Sequence, residues 1–225
     1  MSAARRRLYL MRHAQVRYFA GVHPHDVVLT EEGRVQAQAA ADALRDVAFD
    51  RVVTSGLART LETAEIVAPD VRPEHRPALR EIESGDIRGL DPDVVHEMMA
   101  AAFRGTVPLD ARFLGGETIG ELLDRVLPEL ERLLADESWD TALLVLHGAV
   151  NRAILSYALT GERIFLGGFE QSPGGINVLD VDADGVFVVR GVNHTPYDSA
   201  HATGPRLTTM EQLWQDYLDA RTRIP

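Results

Sequence analysis

The chain has 225 residues, 45% hydrophobic and 25% charged, which are the proportions of an ordinary globular protein; they exclude disorder for most of its length and allow a substantial core. It contains no cysteine, which rules out a disulfide framework, a zinc finger, a cysteine nucleophile and an iron–sulfur cluster, and leaves His and carboxylates as the only candidate metal ligands. A formal net charge of -11 repels nucleic acid and anionic membrane, so an anionic ligand must meet a local cluster of arginines.

Three arginines, Arg5 to Arg7, precede the apolar run Leu8-Tyr9-Leu10-Met11. That run is too short for a secretory core of roughly 7 to 15 residues, and no run approaches the roughly 18 of a membrane span, so a soluble cytoplasmic protein is expected. Residues 8–11, 51–55 and 142–146 are short apolar runs that end in polar residues, the form of buried parallel strands. Between them lie helical patterns: residues 31–46 after a Thr30 cap, 57–67, and 118–135 with Ile119, Leu122, Leu123, Val126, Leu130 and Leu133 on one face. Residues 69–111 read as irregular apart from a helix over 94–103. The segment 176–190 has strand patterns on both sides of Asp182 to Gly185, an edge hairpin with Asp-Gly chemistry at its turn, and 210–221 reads as a surface helix. With no linker, repeat or low-complexity tract, residues 1–225 are expected to form one domain. Its fold class is α/β, a three-layer α/β/α sandwich with a mostly parallel central sheet.

Ligands of open α/β sheets sit outside the carboxyl ends of the strands. The first strand is followed by Arg12-His13-Ala14, the second by Ser55-Gly-Leu-Ala-Arg59 entering a helix, and the third by His147-Gly148 entering another. Two imidazoles and two guanidiniums on one rim, with helix N-termini beside them, suit a tetrahedral dianion.

The chain resembles the histidine phosphatase superfamily, also called phosphoglycerate-mutase-like. The resemblance rests on Leu10-Met-Arg-His-Ala14, Leu29-Thr-Glu-Glu-Gly-Arg34, Ser55-Gly-Leu-Ala-Arg-Thr-Leu-Glu-Thr-Ala64, Leu79-Arg-Glu-Ile-Glu-Ser-Gly85, Gly115-Gly-Glu117 and Val145-Leu-His-Gly148, in the family's order. It implies a phosphoric monoester hydrolase of the histidine acid phosphatase type. His13 is then the nucleophile that carries a phosphohistidine, while Arg12, Arg59 and His147 hold the equatorial oxygens and no metal or other cofactor is needed. The family's general acid corresponds to Glu81, with Glu83 and Asp86 as competing carboxylates. Arg17, Gly148 and His194 are candidate substrate contacts.

Some positions depart from the family pattern. Phe19 stands where the mutase branch carries an Asn that contacts the phospho group, which speaks against mutase activity. Ala14-Gln15 removes one carboxylate beside the phosphate, and Ile87-Arg88 replaces a frequent Trp-Glu pair, Arg88 being a candidate contact to a polyanion. His23-Pro-His25-Asp26 reads as a flexible loop rather than a metal triplet, and Gly115-Gly116-Glu117 as a turn that opens a helix. The expected function is therefore a metal-independent phosphomonoesterase acting on a small phosphorylated metabolite. A phosphomutase and a non-catalytic phospholigand-binding protein are the alternatives, and a homodimer through an edge strand or surface helix stays open.

Overall fold

The computed structural model describes residues 5–19, 21–203 and 206–222. The apolar runs form β1 (Arg6–Arg12), β2 (Arg51–Thr54) and, after the two-residue β3 (Glu74–His75), β4 (Thr141–Leu146). These four lie parallel, and the hairpin of β5 (Ile176–Val181) and β6 (Phe187–His194) adds to β1 antiparallel, giving the order β3-β2-β4-β1-β5-β6. The hairpin turn follows its sequence chemistry: Gly185 takes φ 79°, and the Asp182 carboxylate accepts from the N–H groups of Asp184 and Val186. β3 escaped sequence reading because two residues carry no alternation.

The helices are α1 (Glu31–Leu44), α2 (Ala58–Val67), α3 (Pro92–Ala101), α4 (Ile119–Ala135), α5 (Gly148–Thr160) and α6 (Thr209–Thr222). β4 shows why there are three layers. Ala142, Leu144 and Leu146 point to one face, where they pack with Leu123 and Leu130 of α4 and Ile154 of α5. Leu143 and Val145 point to the other, with Ala40 and Leu44 of α1 and Ala64 and Val67 of α2. Truncating a core side chain as enclosed as Leu144 costs about 2–5 kcal/mol. α4 begins with a reciprocal capping box, Thr118 and Glu121 each bonding the other's backbone N–H. Among the described residues no helix is long and apolar enough to cross a membrane.

Two expectations need correction. α3 starts at Pro92, not residue 94, because Asp91 caps it and proline suits the first helical position. α6 is more than a surface helix: Met210 and Tyr217 are buried and join Val95 and Met99 of α3 in a separate apolar cluster beside the sheet.

The chain leaves β1 toward α1 on one face and β4 toward α5 on the other. Adjacent strands whose connections depart on opposite faces open a crevice at their carboxyl ends. Arg12 lies opposite Leu146 in the ladder, and the His13 N–H donates to the Leu146 carbonyl at 2.9 Å, so the next residues, His13 and His147, are brought side by side.

Candidate active site

His13 and His147 are both fully enclosed, their ring centroids 5.3 Å apart. Nδ1 of His13 lies 2.8 Å from the Ala14 carbonyl, and a carbonyl can only accept, so Nδ1 carries the proton and Nε2 keeps a lone pair. The Tyr18 hydroxyl is 3.5 Å from that Nε2. Burial first, and then the guanidiniums of Arg59 and Arg12, hold the His13 pKa well below 6.5, so the ring is neutral at neutral pH.

His147 precedes α5, and its Nε2 is 2.8 Å from Ser55 Oγ. A hydroxyl chain sets the direction of that bond. Thr60 donates to the Leu57 carbonyl, Ser55 to Thr60, and His147 Nε2 to Ser55. Nδ1 of His147 has no partner among the described residues. Burial, with Arg59, His13 and Arg12, depresses this pKa too.

Arg12 and Arg59 flank the pair. Arg12 is anchored to the Gln171 carbonyl at 2.7 Å, and Arg59, in the first turn of α2, to the Pro24 carbonyl at 2.9 Å. Both keep a buried Nε–H with no partner among the described residues, a costly arrangement unless an acceptor arrives from outside.

Glu81 reaches the start of α5. Its Oε2 accepts from the Gly148 N–H at 3.0 Å, and its Oε1 from Ala149 and Ile82 at 3.2 and 3.0 Å. The dipole end expected to draw a substrate anion is therefore held by a carboxylate of the chain itself. The Gly148 N–H is engaged there too, and the residue's contribution is lack of bulk: a Cβ would lie 3.2 Å from Arg152, 3.7 Å from Glu81 and 3.8 Å from Arg12.

Arg152 was missed by sequence reading. It is 3% exposed, donates to the carbonyls of Gly148 and Gly167, and lies 3.7 Å from Glu170. Burial lowers its pKa to about 10. Its spacing was the available signal, since a residue four after Gly148 faces the same way one turn along α5.

Other expected contacts fall elsewhere. Arg17 is exposed and does not line the cavity over His13; neither does His194, which points to solvent at the end of β6. Its neighbour Asn193 is the buried one, at φ 52°, exchanging hydrogen bonds with Ser172 in the cavity wall. Glu83 and Asp86 are exposed and held ionised, Glu83 by Arg80 and Asp86, at about 2, by Arg88, which makes both poor proton donors. Arg88 is thereby committed to Asp86.

The model of the histidine phosphatase superfamily (branch 1) matches residues 8–195. A probable phosphoglycerate mutase, GpmB, of Salmonella paratyphi A is 32% identical over 161 residues, 68% of this chain and 74% of the relative. The 2-carboxy-D-arabinitol-1-phosphatase of Triticum aestivum is 32% identical over 188 residues, 79% of this chain and 37% of the relative. Several curated relatives are much longer, and the chain spans about a third of their length. Among solved structures, a mycobacterial glucosyl-3-phosphoglycerate phosphatase superposes with a TM-score of 0.68 at 27% identity, over 84% of this chain and 99% of that one. A match over most of the chain, on a fold that brings its strand-end histidines and arginines together, makes this protein a member of the histidine phosphatase superfamily.

Proposed function

We propose that the chain hydrolyses a small phosphomonoester through a phosphohistidine on His13. The observation that carries this reading is the lone pair on Nε2 of His13, set between two buried guanidiniums whose Nε–H groups have no partner among the described residues. A phosphoryl group there supplies the missing acceptors while its phosphorus faces the nucleophile, and charge-assisted bonds stabilise the transferring group. Nε2 attacks phosphorus, the ester P–O bond breaks, and its electron pair leaves on the alcohol oxygen. Glu81 donates the proton; Oε2, which accepts a single N–H, is the oxygen free to carry it. The resulting carboxylate takes a proton from water, whose oxygen attacks the phosphohistidine, releasing phosphate and restoring the imidazole. His147 contacts a phosphoryl oxygen through Nδ1, protonated once the dianion offsets the two guanidiniums, with Ser55 fixing the ring. The wheat and mycobacterial relatives are named as phosphatases of small phosphorylated metabolites, which supports a hydrolase.

The test is acid-free quenching of a reaction with a simple phosphomonoester, followed by mass spectrometry of the peptide that contains His13. A phosphoryl adduct on His13, phosphate release that survives chelator, and loss of both in His13→Ala are expected. Turnover with no adduct at His13 sinks the mechanism. The likeness to GpmB keeps a mutase reading in view, and an isomeric product without free phosphate would favour it.

A further inference from the structure

Above the catalytic side chains the cavity opens to about 2070 Å³, well beyond the roughly 300–1,000 Å³ of ordinary small-molecule pockets. Its walls differ sharply from its floor. On one side Phe103 stacks on Phe113, ring centroids 5.3 Å apart, and Phe103 lies 4.8 Å beneath the Arg152 guanidinium, so apolar surface begins at the catalytic centre itself. Phe19 meets Tyr217 of α6 edge-on at 5.6 Å, and Leu213 of α6, also in the cavity lining, packs on the same apolar cluster as Phe103 and Phe113. Several of the protein's exposed large apolar side chains, Phe19, Val22, Leu90 and Leu207, gather at this rim. Phe19 holds φ 61°, a conformation a bulky residue adopts only when its surroundings impose it, and this turns its ring onto Tyr217.

The charges around the rim point the same way. Arg80 is bonded to Glu83, Arg88 to Asp86 through two nitrogens, and Arg221 to the Tyr217 hydroxyl. Arg206 is the remaining described lining arginine outside the floor, and the carboxylates of Glu32 and Asp216 belong to the same cavity lining. Among the described residues, a second anionic group on the substrate would find no cluster of uncommitted arginines outside the floor, whereas an aromatic or alkyl group would lose water against four aromatic rings.

Resting on the phosphatase reading above, we propose that this mouth is a leaving-group pocket for phosphomonoesters of bulky, uncharged, apolar alcohols, and that Phe19 and α6 set the selectivity. The test compares kcat/KM for 2-phenylethyl phosphate, glycerol phosphate and 3-phosphoglycerate, esters whose alkoxide leaving groups are chemically alike, in the wild type, Phe19→Gly and Leu213→Ser. Gly tolerates positive φ and brings no polar group to the phosphate, so that variant removes the ring while keeping the loop. The wild type should favour the phenylethyl ester at least about tenfold, and each variant should lower that ratio several-fold, chiefly through KM. Equal or better use of glycerol phosphate or 3-phosphoglycerate overturns this inference alone. A phenylethyl preference that both variants leave intact overturns the placement of the pocket. Failure to hydrolyse any of the three esters overturns the phosphatase reading and this one with it.

Discussion

The floor and the mouth of the cavity are built by different means. Arg12, His13, Arg59 and His147 are each at most 6% exposed, come from the ends of three adjacent strands, and are aimed by bonds to backbone carbonyls or a buried serine. The mouth is assembled from the segment after β1, the stretch around Ile87, α3 and α6, and is held by ring stacking and aliphatic contact. The floor thus fixes a chemistry that tolerates little displacement, while the mouth can vary in shape without disturbing it. On the proposed function, reaction and selectivity should be separable, and the two regions should fail differently when altered.

The largest effect is expected from His13→Ala, which removes the attacking atom and should reduce kcat by about a thousandfold or more in a phosphate-release assay, with no compensation from a better leaving group. Arg59→Ala should cost about a hundredfold in kcat/KM. It also removes a charge that keeps His13 unprotonated, so the acid limb of the pH–rate profile, expected below pH 6.5 in the wild type, should move upward. An unmoved limb would separate that limb from His13. Glu81→Gln should lower kcat/KM for alkyl esters about a hundredfold but for nitrophenyl phosphate far less, because a good leaving group needs no proton in the phosphoryl-transfer step; equal losses in kcat/KM on both would remove Glu81 from the role of proton donor.

The smallest effect concerns folding. Both buried imidazoles have pKa values lowered by the fold, while the unfolded chain takes up protons near pH 6.5, so the unfolded state binds more protons in acid. Stability should therefore be complete above about pH 6.5 and fall as pH drops toward the lowered values, by at most about 1.4 kcal/mol per pH unit for each histidine. Urea titrations of wild type and His147→Gln between pH 7 and 5 would read the difference, and parallel curves would refute it.

The floor was legible because its residues lie where an apolar run stops. His13, Arg59 and His147 follow the strands within a few positions, and parallel pairing alone brings such ends together. Glu81 rested on resemblance: its carboxylate arrives after an irregular segment and a 3-10 turn, and no local pattern shows that it will bond the first N–H groups of α5. Arg152 looked like any arginine within a helix until the fold buried it beside Gly148, within reach of Glu170. His194 was preferred to Asn193 by a single residue. The β5–β6 register shifts between Ile176 and Leu179, and such an irregularity changes which side chains face inward.

By itself the sequence determined the three-layer sheet, the hairpin at its edge and the basic, imidazole-rich rim, since hydrophobic period, capping residues and strand ends are local properties of the chain. Only the tertiary structure decided that α6 closes on α3, that Phe19 is turned onto Tyr217, and that Glu81 and Arg152 both come up to Gly148. Those contacts join segments far apart in the chain. Their energy comes from complementary packing and desolvation, which exist only once the surfaces have met.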